Sequence, residues 1–217
     1  MDSVAFVTYA DGLYVKPQQT LIRSIRKIYP KATIFAFNSP SEIHPECPPH
    51  AFSPYGFKVY AIEHARTKGY NVVIWLDSPN RLIRRIEPWL EEIAKVGVYL
   101  QRDGWMCGQW ANDKCLQYFG VTRDEAMKIS NIYACIYGFD FRHPITAQFF
   151  DRWKLACKDG MFYGKGKNTD KTESKDERCL GHRYDQTCSE LIAYQMGIPL
   201  SPLVLGENKY FLSWIEV

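Results

Sequence analysis

The run Tyr70-Asn-Val-Val-Ile-Trp-Leu76 constrains this chain most, because it is an apolar block that delivers one carboxylate, Asp77, to its own end and then breaks at Ser78-Pro79. A short, nearly continuous apolar run bounded by turn residues reads as a strand covered on both faces, as in α/β sheets. Ligands of such sheets collect in the crevice outside the carboxyl ends of the strands. Asp77 is therefore the first candidate for chemistry.

The remaining pattern repeats strand and helix. Val4–Tyr9 is a β-rich run, Ala10-Asp11-Gly12 a turn, and from Pro17 onward Leu21, Ile22, Ile25 and Ile28 fall at helical spacing until Pro30 stops them. A second strand over 32–37, a Pro- and Ser-rich loop over 38–54 and a helix over 55–68 closed by Gly69 lead into the Asp77 strand. Two strands joined by a helix imply a parallel pair. Further on, the pattern predicts a helix over 88–95, a strand over 97–100 and a capping-box helix from Thr122-Arg-Asp-Glu125 through Ile129. A strand over 132–139 and an amphipathic helix over 144–157 follow. The segment 158–178 is too polar to bury anything, and a helix over 184–195 closed by Gly197 precedes an apolar tail with Tyr210, Phe211 and Trp214. No internal repeat or linker interrupts this, so the reading is one α/β domain over 1–217.

Hydrophobic residues at 46% fit a globular core, and 27 Lys and Arg against 24 Asp and Glu give +3, too mild and scattered to imply nucleic acid. No apolar run reaches the roughly 18 residues of a membrane span, and Met1-Asp2-Ser3-Val4 lacks signal-peptide character, so a soluble, cytoplasmic protein is expected. The seven cysteines include no Cys-x-x-Cys pair, which suits reduced thiols better than disulfides or zinc. Gly-x-Gly-x-x-Gly, Gly-x-x-x-x-Gly-Lys-Ser/Thr and Gly-x-Ser-x-Gly are absent, which removes dinucleotide, P-loop and α/β-hydrolase chemistry. Thr8-Tyr9-Ala10-Asp11-Gly12 instead suits a base and ribose, with Tyr14 just beyond.

Val-Ala-Phe-Val-Thr-Tyr9, then Phe57-Lys58 with Ile62 and Ala65-Arg66 leading into Trp-Leu-Asp77-Ser78, then Tyr184-Asp185-Gln186, resembles GT-A glycosyltransferases that use nucleotide-diphosphate sugars. More narrowly it is similar to the amino-terminal domain of chlorella-virus enzymes that build capsid-protein glycans. The resemblance implies a GT-A, Rossmann-like fold with a central, mostly parallel mixed sheet flanked by helices. It also implies a UDP-sugar donor carrying a glucose-like hexose or L-rhamnose, Mn²⁺ or Mg²⁺, a glycan or glycoprotein acceptor, and the host-cell cytoplasm.

In that family the acid after the Trp-Leu strand opens an Asp-x-Asp motif that holds the metal against the diphosphate. Here Pro79 stands in place of the second Asp, so Asp77 carries over, with Ser78 beside it, and the resemblance leaves the metal to lean on diphosphate oxygens, water, Asn80 or a distant group such as His182 or Asp185, or to bind weakly. By resemblance Thr8, Tyr9, Asp11 and Tyr14 grip uracil and ribose, Arg66 meets the diphosphate or donor sugar, and Asp140, after Gly138, lines a sugar pocket. Asp185 would orient the sugar or act as nucleophile or base, although an Asp there also suits a helix N-cap. Trp105, Trp110 and Tyr118, with Asp103, offer stacking to an acceptor sugar, and the 158–178 loop would close over the donor. Two other readings stand beside the transferase: a carbohydrate-binding or adaptor domain, suggested by the missing second Asp, and a nucleotidyltransferase, which would open on a basic, Gly-rich phosphate loop.

Overall fold

A computed structural model of the chain describes residues 3–164, 169, 174–202 and 210–213. In chain order it contains β1 (Val4–Tyr9), α1 (Val15–Ile28), β2 (Thr33–Phe37), α2 (Pro40–Ile43), α3 (Gly56–Thr67), β3 (Val72–Leu76), β4 (Asn80–Leu82), α4 (Glu87–Val96) and β5 (Val98–Tyr99). There follow β6 (Arg102–Met106), α5 (Asp113–Phe119), α6 (Arg123–Ala126), β7 (Ser130–Ile132), β8 (Ile136–Asp140), α7 (Pro144–Lys158), α8 (Tyr184–Met196) and β9 (Phe211–Ser213). No helix among the described residues is long and apolar enough to cross a membrane.

The central sheet has the order β2-β1-β3-β8-β5. β1 pairs in parallel with both β2 and β3, as helix crossovers require, whereas β8 runs antiparallel to β3 and to β5. Four of the five strands thus share one direction, and the sheet is mixed but mostly parallel. Two short ribbons, β4 with β9 and β6 with β7, lie outside it.

Side chains alternate across a strand, and both faces of this sheet are buried. Ala5, Val7 and Tyr9 of β1 with Val73 and Trp75 of β3 join a core that includes α3, α7 and α8. Val4 and Phe6 with Val72, Ile74 and Leu76 join a second core against Leu21 and Ile25 of α1 and Trp89 and Ile93 of α4. This period of two fixes the direction of the strand-end residues. Residue 77 continues the face of 73 and 75, so Asp77 turns toward α3 and α8.

Several elements depart from the sequence reading. The 38–54 loop contains α2, held by a capping box of Ser39 and Glu42. The box of Thr122 and Glu125 forms as expected, but α6 ends at Ala126 instead of running to Ile129. The strand over 132–139 is two strands, β7 and β8, separated at 133–135, where the chain passes from the outer ribbon to the central sheet. β6 and α5 lie in a region the sequence pattern left without elements; Asn112 caps α5 by accepting from Cys115 N. Residues 165–168 and 170–173 of the 158–178 loop, and Trp214, fall outside the described residues, and with them the expected closure over a donor.

Candidate functional site

α3 opens at the end of the sheet where β1 and β3 finish, and its first turn carries Lys58. The helix is covered on both sides, so Lys58 is 2% exposed between the apolar Phe57 and Val59. A cation at a helix amino terminus is opposed by the helix dipole as well as by burial. Two carboxylates offset both costs. Lys58 Nζ lies 3.0 Å from Asp185 Oδ2 and 3.3 Å from Asp77 Oδ1, and it donates to the Ala134 carbonyl at 2.9 Å. The rings of Tyr55, Trp75 and Tyr137 stand 5.1, 5.7 and 5.8 Å from the ammonium.

The two acids are not equivalent. Asp77 keeps 24% of its side chain exposed, while Trp75 Nε1 donates to its Oδ1 at 2.7 Å. Asp185 keeps 3% and sits in the first turn of α8. Burial raises the Asp185 carboxyl to about 6, against the pull of Lys58 in the other direction. Burial alone would lower the Lys58 ammonium; Asp185 and then Asp77 reverse this and hold it well above its ordinary value. Asp77 is thus the acid open to solvent, and Asp185 is enclosed against Lys58. The N-cap position that Asp185 might have filled belongs to Arg183.

Left-handed backbone at two non-glycine residues brackets this cluster. Tyr55, just before α3, has φ 64°, and Tyr184, at the start of α8, has φ 42°. Such conformations are costly for L-residues and persist where the surroundings dictate them. Their rings approach to 6.4 Å, next to Lys58.

Beyond β1, Tyr9 stacks on Phe57 at 4.1 Å between centroids and donates its hydroxyl to Asp11 Oδ2 at 3.1 Å. Burial, then Asp11, raises the Tyr9 phenol. Tyr14 is 44% exposed, and the Thr8 hydroxyl is buried without a hydrogen-bond partner. Phe57 precedes Lys58 and lies 5.9 Å from the Trp75 ring, so the β1 loop and the Asp77 cluster adjoin. Ser78 is buried beside Asp77.

The direction of β8 and hydrogen bonding set four residues, Asp140, Arg66, Gly138 and His182, apart from Asp77. Asp140 pairs in register with Val72 and Ile136 with Leu76, so Asp140 lies at the amino end of β3, across the sheet from Asp77. There it accepts two bonds from the Arg142 side chain, at 2.8 and 2.6 Å, and lines no pocket beside Asp77. Arg66 lies in the last turn of α3 over the Phe141 ring, again at the far end, and pairs with Glu63 and Asp151. Gly138 admits a neighbouring helix, not a ligand: a Cβ there would sit 2.6 Å from Ile93 Cδ1. His182 is fully buried, its Nδ1 accepting from Asn112 N and its Nε2 facing the Met161 carbonyl, so both ring nitrogens are committed to backbone.

These facts decide the fit of Mn²⁺ or Mg²⁺. Hard divalent ions need several oxygen ligands. Asp77 already shares its Oδ1 with Trp75 and Lys58, Asp185 Oδ2 faces Lys58, and Pro79 supplies no ligand. Among the described residues no three His, Cys, Asp or Glu side chains converge to hold a metal. The described residues do not by themselves supply the oxygen ligands that the expected ion needs.

A second polar cluster adjoins the first; Trp110 and Asp103 were named in the sequence, but Glu190, Asn131 and Arg183 were not. Glu190, one turn along α8 from Gln186, is buried and accepts from Ile132 N at 3.0 Å and from Gln186 at 3.2 Å. Burial raises its carboxyl to about 8. Gln186 donates to Asn131 Oδ1 at 2.6 Å. Arg183 lies 4.0 Å above the Trp110 ring and reaches Asp103 at 3.3 Å. Tyr118 does not belong to this group; its hydroxyl donates to Asp159. The sequence signal for Lys58 was a lysine at a core position of a helix, and for Glu190 an acid immediately before the apolar stretch Leu191-Ile192-Ala193.

No protein-family profile matches the chain, and no curated protein sequence matches it. Solved structures do. A glycosyltransferase involved in glycosylation of the major capsid of PBCV-1 covers 99% of this chain and 95% of its own length, with TM-score 0.54 and 11% identity. Mouse xyloside xylosyltransferase 1 covers 95% and 86%, with TM-score 0.50 and 11% identity. The bifunctional glycosyltransferase WbbM covers 95% of this chain at 14% identity and TM-score 0.49, and the chain spans 46% of WbbM. At these identities the likeness is one of fold, the GT-A glycosyltransferase fold that the sequence resemblance implied.

Proposed function

We propose that this chain is a glycosyltransferase that binds a UDP-sugar at the carboxyl ends of β1 and β3 and passes the sugar to a glycan. The observation that carries the reading is the Asp77–Lys58–Asp185 cluster, which sets one part-exposed carboxylate at the strand end beside an aromatic and acidic β1 loop. Perturbed, paired ionisable groups in such a crevice favour function over scaffold. The Tyr9–Asp11 pair suits a base and ribose, and Asp77 suits hydroxyls of the ribose or donor sugar. Lys58 holds Asp77 in place and Asp185 holds Lys58; they are positioning residues. The sequence resemblance makes UDP-glucose and UDP-L-rhamnose the first donors to try, and the PBCV-1 likeness makes the glycans of a viral capsid protein the first acceptors.

Calorimetric titration with UDP tests this. The wild-type protein should bind UDP in preference to CDP and GDP, and Asp77→Asn should weaken UDP by about tenfold, the scale of one charge-assisted hydrogen bond. Unchanged UDP affinity in that variant, or no UDP binding by the wild type, refutes the reading. Pro79 in the second acid's place gives the adaptor reading one observation of its own. UDP binding without cleavage of any UDP-sugar would favour it.

A further inference from the structure

The β6–β7 ribbon exposes side chains that its size does not require. Four of the five residues of β6 are exposed, and Trp105 keeps 44% of its surface in solvent although a tryptophan gains most by burial. Trp105 meets the edge of the buried Trp110 at 5.7 Å. Trp110 is fixed to the start of α8, its carbonyl accepting from Arg183 N at 3.1 Å and from the Thr187 hydroxyl at 2.6 Å. Arg183 lies on the Trp110 face, with its guanidinium directed between Asp103 Oδ2 at 3.3 Å and Asn131 Oδ1 at 3.4 Å. Those contacts are long and weak, so an oxygen placed among them strengthens the set instead of disrupting it. Two buried donors of the cluster, Trp110 Nε1 and Asn131 Nδ2, have no partner. Asp103 and Arg183 remain 25% and 21% exposed.

From this arrangement we infer that Trp105, Asp103 and Arg183 form a saccharide-binding face for the acceptor, an inference that rests on the transferase reading above. A pyranose presents an apolar C–H face and a rim of hydroxyls, which matches an exposed indole beside a carboxylate and a guanidinium. The chemistry discriminates against other ligands. Arg183 is balanced by Asp103, so the face offers no surplus positive charge to a phosphate, and one indole among polar groups makes no groove for a lipid chain. The face also adjoins the reaction centre. Arg183 stands two residues before Asp185, and Asn131 stands three before Ala134, the carbonyl partner of Lys58. At a strand rise of about 3.3 Å per residue that separation is at most about 10 Å.

Saturation-transfer NMR with methyl glycosides of glucose, galactose, xylose, L-rhamnose and N-acetylglucosamine tests the face, with and without UDP. At least one should bind, and Trp105→Ala and Asp103→Asn should each weaken it by about tenfold while UDP affinity stays within about twofold. Trp105 is exposed, so its variant keeps the fold, and circular dichroism checks this. Failure of every glycoside to bind, or undiminished binding in Trp105→Ala, overturns the face and leaves the UDP reading standing. Glycoside binding on Trp105 without any UDP binding overturns the transferase reading and supports the face.

Discussion

Replacing Lys58 with methionine keeps most of the side-chain volume and removes the charge, so it isolates what the ammonium does. In the wild type Nζ serves Asp185 at 3.0 Å, Asp77 at 3.3 Å and the Ala134 carbonyl at 2.9 Å. Asp77 is part-exposed and can turn to water; Asp185 cannot. Breaking a buried ion pair from one side costs about 3–5 kcal/mol, most of it the uncompensated charge. We expect Lys58→Met to lose about 4 kcal/mol at pH 7.5, or about 8–16 °C in Tm for a chain of this size. The pH dependence follows from the direction of the Asp185 shift. Burial already raises this carboxyl to about 6, and without Lys58 it rises further. The folded variant then holds a proton that the unfolded chain releases near pH 4, so its deficit shrinks as the pH falls toward 5 and grows as it rises. Neutralising the acid as well, in Lys58→Met with Asp185→Asn, should recover about 2 kcal/mol, a coupling typical of direct partners. Urea denaturation at pH 5.0 and 7.5 reads all four corners of the cycle. A loss under about 1 kcal/mol at pH 7.5, or coupling under about 0.5 kcal/mol, would refute a charge-paired Lys58.

Glu190 gives a second pH signature. Its carboxyl is raised by burial to about 8, so the folded state binds the extra proton and this group's contribution to stability is lost between about pH 4.5 and 8. Glu190→Gln, which keeps an oxygen for Ile132 N, should gain on the order of 3 kcal/mol over the wild type at pH 8 and little at pH 5; equal gains at both would count against it. Asp140→Asn and Arg66→Ala should leave UDP affinity within about twofold, because both side chains stand at the opposite end of the sheet from Asp77. A tenfold loss in either would contradict that placement. Mn²⁺ titrated into the protein alone should give no saturable heat, since one part-exposed carboxylate does not make a site. Stoichiometric Mn²⁺ binding would show that ligands converge where the described residues do not.

What the sequence determined was local. Apolar runs and their breakers marked β1, β3, α3, α7 and α8 to within a few residues, and the run into Asp77 named the strand end that carries the part-exposed acid. Exposed or short pieces such as β6 and α5 left no periodic trace, since neither buries a regular face large enough to write one. The candidate cluster was legible only where it coincides with an element boundary, as at Asp77, Tyr9 and Asp185. Tertiary structure decided the rest. β8 has the same apolar pattern whichever way it runs, and only its pairing with β3 sends Asp140 to one end of the sheet and leaves Asp77 at the other. Likewise Lys58 is an ordinary helical lysine until two carboxylates separated from it by 19 and 127 residues of chain close around its ammonium. Strand direction and charge pairing are long-range choices made by burial and Coulomb energy, and no local pattern encodes them.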